Sequence, residues 1–180
     1  MVLLGCKPGA RLTEQHDIFC GLGNSLKDLV PDMQSAWPDS GRLHIDGWRE
    51  VTQVNNYTIT IRVRTGETGT NNSGKHLFFI NLGGYKPNEF EEFHYKVLAV
   101  AGDMQEAGRM SKQTAFYKHT GFENAVAHID DRYGIDVEDI MNVTEMLGRQ
   151  YKDKYKIAIE ENAQQAQDEL HLGYLPVDKI

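Results

Sequence analysis

Leu4-Gly5-Cys6-Lys7-Pro8, followed by Glu14-Gln15-His16, returns later in the chain as Leu82-Gly83-Gly84-Tyr85-Lys86-Pro87, followed by Glu92-Phe93-His94. Each stretch leads into an apolar run, 18–22 or 97–101, and then a glycine with a capping residue, Gly23-Asn24 or Gly102-Asp103. His44-Ile45-Asp46 and His128-Ile129-Asp130 close the series in the same order. Four motifs repeating at a spacing of roughly 80 residues read as a two-fold tandem duplication, since solenoid repeats are shorter. The predicted units are residues 1–75 and 76–180. Each is a marginal core alone, so the two are expected to pack as one body about a pseudo-two-fold axis.

Periodicity supplies the elements. Leu26, Leu29, Val30, Met33 and Trp37 mark one helical face, with Ser25 and Asp28 as a capping box and Pro31 expected to kink or restart the helix. In the second unit Asp103 and Glu106 repeat the capping spacing. Met104, Ala107, Gly108, Ser111 and Ala115 form a small-residue face, and Gly121 is the expected stop. Asn55-Asn56 suits a tight turn into Tyr57–Val63, where Ile59, Ile61 and Val63 alternate with polar residues. In the second unit a helical segment, 144–154, takes the place of that turn before the strand 155–159. Polar stretches 65–75 and 160–168 are expected to be exposed loops, and the tail 169–180 to fill a sheet edge equivalent to residues 2–5 or 77–82. Each unit therefore reads strand, strand, helix, strand, strand. The predicted fold class is α+β: two such units forming a two-layer sandwich, with a right-handed crossover placing each helix on its own sheet.

Composition bounds the function. The 180 residues are 40% apolar and 25% charged, with a formal charge of -7, which disfavours a nucleic-acid backbone binder. No apolar run reaches membrane-spanning length. Residues 1–75 hold eight acidic and eight basic side chains, whereas 76–180 hold eighteen and eleven, so the second unit repels anions more strongly. Cys6 and Cys20 are read as buried thiols in a cytoplasmic protein. Leu3-Leu4-Gly5-Cys6 lacks the preceding apolar segment of an export signal.

The Leu-Gly-x-Lys-Pro, Glu-x-His and His-Ile-Asp motifs, and especially the stretch 78–95, resemble a bacterial domain-of-unknown-function family, the one numbered fifteen-forty-three. It is a short domain found in one or two copies per protein. The resemblance extends to 115–121 and to His171-Leu172-Gly173-Tyr174. It implies a duplicated bacterial protein and carries no activity, cofactor or site with it.

Residues two apart on a strand share a face, so Glu14 with His16 and His44 with Asp46 each present a pair on one surface. Glu92 with His94 and His128 with Asp130 are the second-unit candidates. Side by side, two imidazoles and two carboxylates suit a divalent metal or acid/base chemistry. The competing structural reading has each buried histidine donating to a neighbouring carboxylate, with no chemistry at all. Lys7 and Lys86, with Glu14, His16, Glu92 and His94, are candidate ligand-binding residues where the two Lys-Pro loops meet. Tyr85, Phe90, Phe93, Tyr95, Phe116, Tyr117 and Phe122 are read as packing residues before cleft residues. Gly21-Leu22-Gly23-Asn24-Ser25 is read as a helix cap, there being no Gly-Lys-Ser/Thr, and no Gly-x-Ser-x-Gly marks a nucleophile.

Three functional expectations follow: a small-molecule-binding or interaction module, a metal-dependent hydrolase-type enzyme using the repeated Glu/His/His/Asp sets, or a structural subunit pairing through Tyr57–Val63 or 170–175. No cofactor is implied beyond a divalent metal in the second. A homo-oligomer is compatible with all three, and neither nucleic acid nor a membrane is expected as partner.

Overall fold

Val2, Leu4 and Cys6 alternate inward along the first strand, and the rest of the first sheet is laid out around them. The structure, a computed structural model, describes residues 1–65, 74–85, 88–119, 136–163 and 167–180. Its elements are β1 (Val2–Cys6), β2 (Gln15–Phe19), α1 (Leu26–Ala36), β3 (His44–Trp48), β4 (Gln53–Val54), β5 (Tyr57–Val63), β6 (His76–Tyr85) and β7 (Glu92–Ala101). They continue with α2 (Met104–His119), β8 (Asp136–Asn142), α3 (Val143–Met146), α4 (Arg149–Lys152), β9 (Tyr155–Glu161), β10 (His171–Pro176) and a closing 3-10 turn. The α+β class is as expected.

β2 and β3 both pair antiparallel with β1, one on each side, so they run parallel to each other. α1 makes the crossover between them and lies over β1. Its Leu29 and Met33 pack on Val2, Leu4, Cys6 and Ile45. Ser25 caps the helix by accepting from the Asp28 N–H at 3.3 Å, and Asp28 accepts from the Asn24 N–H at 3.1 Å. Pro31 does not restart the helix. The carbonyl it leaves without a partner is that of Lys27; both residues are exposed, so solvent can take it and α1 continues through.

The second sheet repeats the order as β7-β6-β8, with α2 on the face formed by Phe78, Ile80, Ala99 and Ala101. Asp103 caps α2 through the Glu106 N–H at 2.7 Å, and Glu106 accepts from the Gly102 N–H. Ala107 and Ser111 are buried as the small-residue face requires. At Gly108 a Cβ would meet Ile140 at 3.2 Å, while Met104 turns outward. Ala115 belongs to a helical turn whose side chains lie outside the described residues, and Gly121 lies outside them altogether.

A third sheet, β4-β5-β9, joins the two halves: β5 pairs along its whole length with β9, from Tyr57 opposite Glu161 to Val63 opposite Tyr155. Val54, Ile59, Ile157 and Ile159 share one core with Leu77, Phe79, Leu98 and Val100 on the helix-free face of the second sheet. Of the alternating set on β5 only Ile59 is buried. Ile61 and Val63 are exposed, although Ile61 pairs with the buried Ile157; β4 pairs only with Tyr57 and Thr58, so beyond them β5 is an edge strand. Asn55, with φ of 54°, makes the expected turn, and the helical segment of the second half is present as α3 and α4. The tail forms β10, which adds to the outer edge of β3 in the first sheet and takes no place equivalent to β1 or β6. No helix among the described residues is long and apolar enough to cross a membrane.

Candidate metal centre

Gly5 stands at the middle of a row across the first sheet: it pairs with His16 on β2 and with His44 on β3. It has no side chain, so the two imidazoles can lean over it from both sides. An added Cβ would come well inside 3.0 Å of both His44 Nε2 and Asp46 Oδ2. Asp46, two residues on from His44, shares its side and stands in a bulge: β1 advances from Leu4 to Leu3 while β3 advances from Ile45 to Gly47, and Asp46 is the extra residue. Glu14 comes from the turn just before β2.

The polar atoms converge. His16 Nε2 lies 3.2 Å from Asp46 Oδ2 and 4.0 Å from Glu14 Oε2. His44 Nε2 lies 3.3 Å from the same Asp46 oxygen and 3.4 Å from Glu14 Oε1. Glu14, His16 and His44 can each turn a ligand atom to within 4.8 Å of the others. The His44 side chain is only 3% exposed, whereas those of His16 and Glu14 are 40% and 46% exposed, so the cluster has a buried floor and an open rim. On that floor His44 Nε2 and Asp46 Oδ2 are both buried with no hydrogen-bond partner. Tyr174 covers His44, with ring centroids 4.4 Å apart. Beyond it His171 stacks on Trp48 at 3.9 Å.

An ion with bonds of about 2.1 Å in tetrahedral geometry holds its ligand atoms about 3.4 Å apart; the 3.2, 3.3 and 3.4 Å separations fit this, and the 4.0 Å between His16 and Glu14 is wider. Two nitrogens with two carboxylates form a borderline donor set, the kind zinc and its neighbours accept. No reactive thiol stands beside it. Cys6 projects to the helix side of β1, and its thiol is held protonated by burial first and by the charge of Glu14 second.

The remaining candidates do not join this cluster. Lys7 is exposed and has no ion-pair partner among the described residues. His94 pairs across β6 with Gly83, and its Nδ1 lies 3.4 Å from Asn81 Nδ2. Glu92, opposite Tyr85, is exposed. Lys86, His128 and Asp130 lie outside the described residues. The strand that pairs with β6 as β3 pairs with β1 is Asp136–Asn142, which begins six residues after Asp130. Among the aromatics Tyr95 packs as expected, while Phe90 is fully exposed. Reading residue by residue missed Gly5 and Tyr174. A glycine inside an apolar strand was the signal for the first, and the second had none.

The fold and this cluster describe an α+β protein with imidazole nitrogens and carboxylate oxygens gathered on one sheet. Residues 11–61, which carry Glu14, His16, His44 and Asp46, match the model of the family described as Domain of Unknown Function (DUF1543). No curated protein matches the chain. Among solved structures the chain is similar to the crystal structure of a protein Il1583 from Idiomarina loihiensis, at 19% identity and a TM-score of 0.60. The match covers 98% of this chain and 94% of that one, and at this identity it speaks for the fold.

Proposed function

We propose that the chain is a metal-binding module in which Glu14, His16, His44 and Asp46 hold one divalent transition-metal ion, with zinc the leading candidate. The observation that carries this reading is His44 Nε2, almost fully buried and without a hydrogen-bond partner, facing two carboxylate oxygens. A buried polar atom left unsatisfied costs about 1–3 kcal/mol, and a cation would turn that cost into a bond.

The exposure of Glu14 and His16 favours an open site over a closed structural one. A small molecule or water could complete the coordination from the rim, and an ion there would polarise a bound carbonyl or acidify a bound water. That is the hydrolytic form of the reading. The shared order β2-β1-β3 and β7-β6-β8 supports two tandem units related by a pseudo-two-fold. The buried free thiols Cys6 and Cys20 suit a reducing cytoplasm.

The test is elemental analysis of untagged protein purified without chelators, with melting curves before and after chelation. We expect about one equivalent of metal per chain and a melting temperature lowered by chelation. His44→Gln should lose the metal and His94→Gln keep it. Protein that takes up no zinc on titration, or His44→Gln protein that binds as well as the parent, would return the cluster to a set of structural hydrogen-bonding groups.

A further inference from the structure

Past the far end of β3 lies a second feature, built from different residues. The end of β3, the β4–β5 hairpin, β7, the start of α2 and the chain after β9 enclose a cleft of about 1110 Å³. Arg49, Lys75 and Lys96 line it together with Glu106, Glu161 and Asp168.

Most of these charges are already committed. Lys75 Nζ donates to both Glu106 oxygens at 3.2 and 3.3 Å, and Glu106 also accepts from the Gly102 N–H. Asp168 accepts from the Thr52 N–H at 2.9 Å, the Thr52 hydroxyl at 2.5 Å and the Gln53 N–H at 3.1 Å. Lys96 donates to the His94 carbonyl at 3.4 Å and keeps further donors for the cleft. Glu161, which is exposed, is not committed, and neither is Arg49. Its Nε is buried with no hydrogen-bond partner. Burial acts against its charge and Asp168 supports it from a distance, with no ion pair within 4.0 Å among the described residues. A guanidinium stays ionised in such surroundings and offers a planar fork.

We infer that this cleft binds a small organic carboxylate, whose two oxygens meet the Arg49 fork while Lys96 supplies a second positive charge. Charge balance selects carboxylate over phosphate monoester: the lining carries four formal positive charges, the Met1 ammonium with Arg49, Lys75 and Lys96, against three carboxylates, and the single surplus with one free fork suits a monoanion better than a dianion. The apolar side chains of Leu98, Val100, Met110 and Leu170 on the same walls favour an acid with a compact apolar body.

Benzoate is the probe, titrated into 15N-labelled protein while the arginine Nε–H resonances are followed, with inorganic phosphate as the contrasting anion. The expected result is a saturable shift of the Arg49 Nε–H signal, and binding weakened about tenfold or more in Arg49→Gln. If that variant fails to fold by circular dichroism, Arg49→Lys carries the test: it keeps the charge, loses the fork and should still bind severalfold more weakly. His44→Gln should bind benzoate as the parent does, so this inference and the metal reading fail separately. A linear, unsaturable response, unchanged affinity in the Arg49 variants, or displacement of benzoate by phosphate at lower concentration would overturn it.

Discussion

In the first sheet Gly5 stands between His16 and His44; in the second, Gly83 stands between His94 and Asp136. The two places share a register. On the β3 side Leu4 pairs with Ile45 before the shift to Leu3 and Gly47, and on the β8 side Leu82 pairs with Val137 before the shift to Asn81 and Asp139. They differ in what lies outside. β10 runs along the free edge of β3 and brings Tyr174 onto His44, while among the described residues no strand covers β8. A repeated backbone register does not by itself produce a repeated site. Burial of His44 depends on a fourth strand that arrives from the far end of the chain.

The sharpest way to break this comparison is to fill the gap at its centre. Gly5→Ala puts a methyl group into His44 and Asp46. We expect metal affinity to fall by about 10–100-fold and stability by about 1–3 kcal/mol, read by competition with a chelating dye and by denaturant melts. Gly83→Ala should leave metal content unchanged. If Gly5→Ala binds as the parent does, the glycine is not the space the ligands need.

A smaller effect tests how the halves are tied. The Tyr151 hydroxyl donates to Asp32 Oδ2 at 2.6 Å, joining α4 to α1, and this bond, with Asp32's charge and partial burial, pushes the phenol up to about 12. The folded protein therefore holds the phenolic proton more tightly than the unfolded chain. The contribution is complete below pH 10 and is lost as pH rises from 10 towards 12. Tyr151→Phe should cost about 1.5 kcal/mol at neutral pH and flatten the alkaline limb of the stability profile. An unchanged limb would show that the contact does not hold the halves together.

The two helix caps give the smallest difference. Asp103→Ala removes the shorter bond and should cost about 1 kcal/mol, and Ser25→Ala about half of that, both from denaturant midpoints. The reverse order would mean that Pro31 makes α1 more dependent on its cap than α2.

Much of the local structure was legible before any coordinates. Capping boxes and the Asn55-Asn56 turn depend on residues one to four apart, and each was found where its spacing placed it. Glu14, His16, His44 and Asp46 were picked out for the same reason, by their period on extended chain. Equating His44-Ile45-Asp46 with His128-Ile129-Asp130 rested on identity of letters, and the second set lies outside the described residues; the strand paired with β6 begins at Asp136. The alternation of β5 was also read correctly but not its burial, since how far a core extends along a strand depends on what packs over it.

From the sequence alone came the elements, their caps and the residue types able to hold a cation, because backbone sterics and side-chain periodicity act over a few residues. Tertiary structure decided that β5 pairs with β9, that β10 closes the sheet of the opposite end, and that β3 joins β1 opposite β2, which sets His44 across Gly5 from His16. Those outcomes depend on which apolar faces bury one another between segments far apart in the chain, and no local pattern encodes that choice of partner.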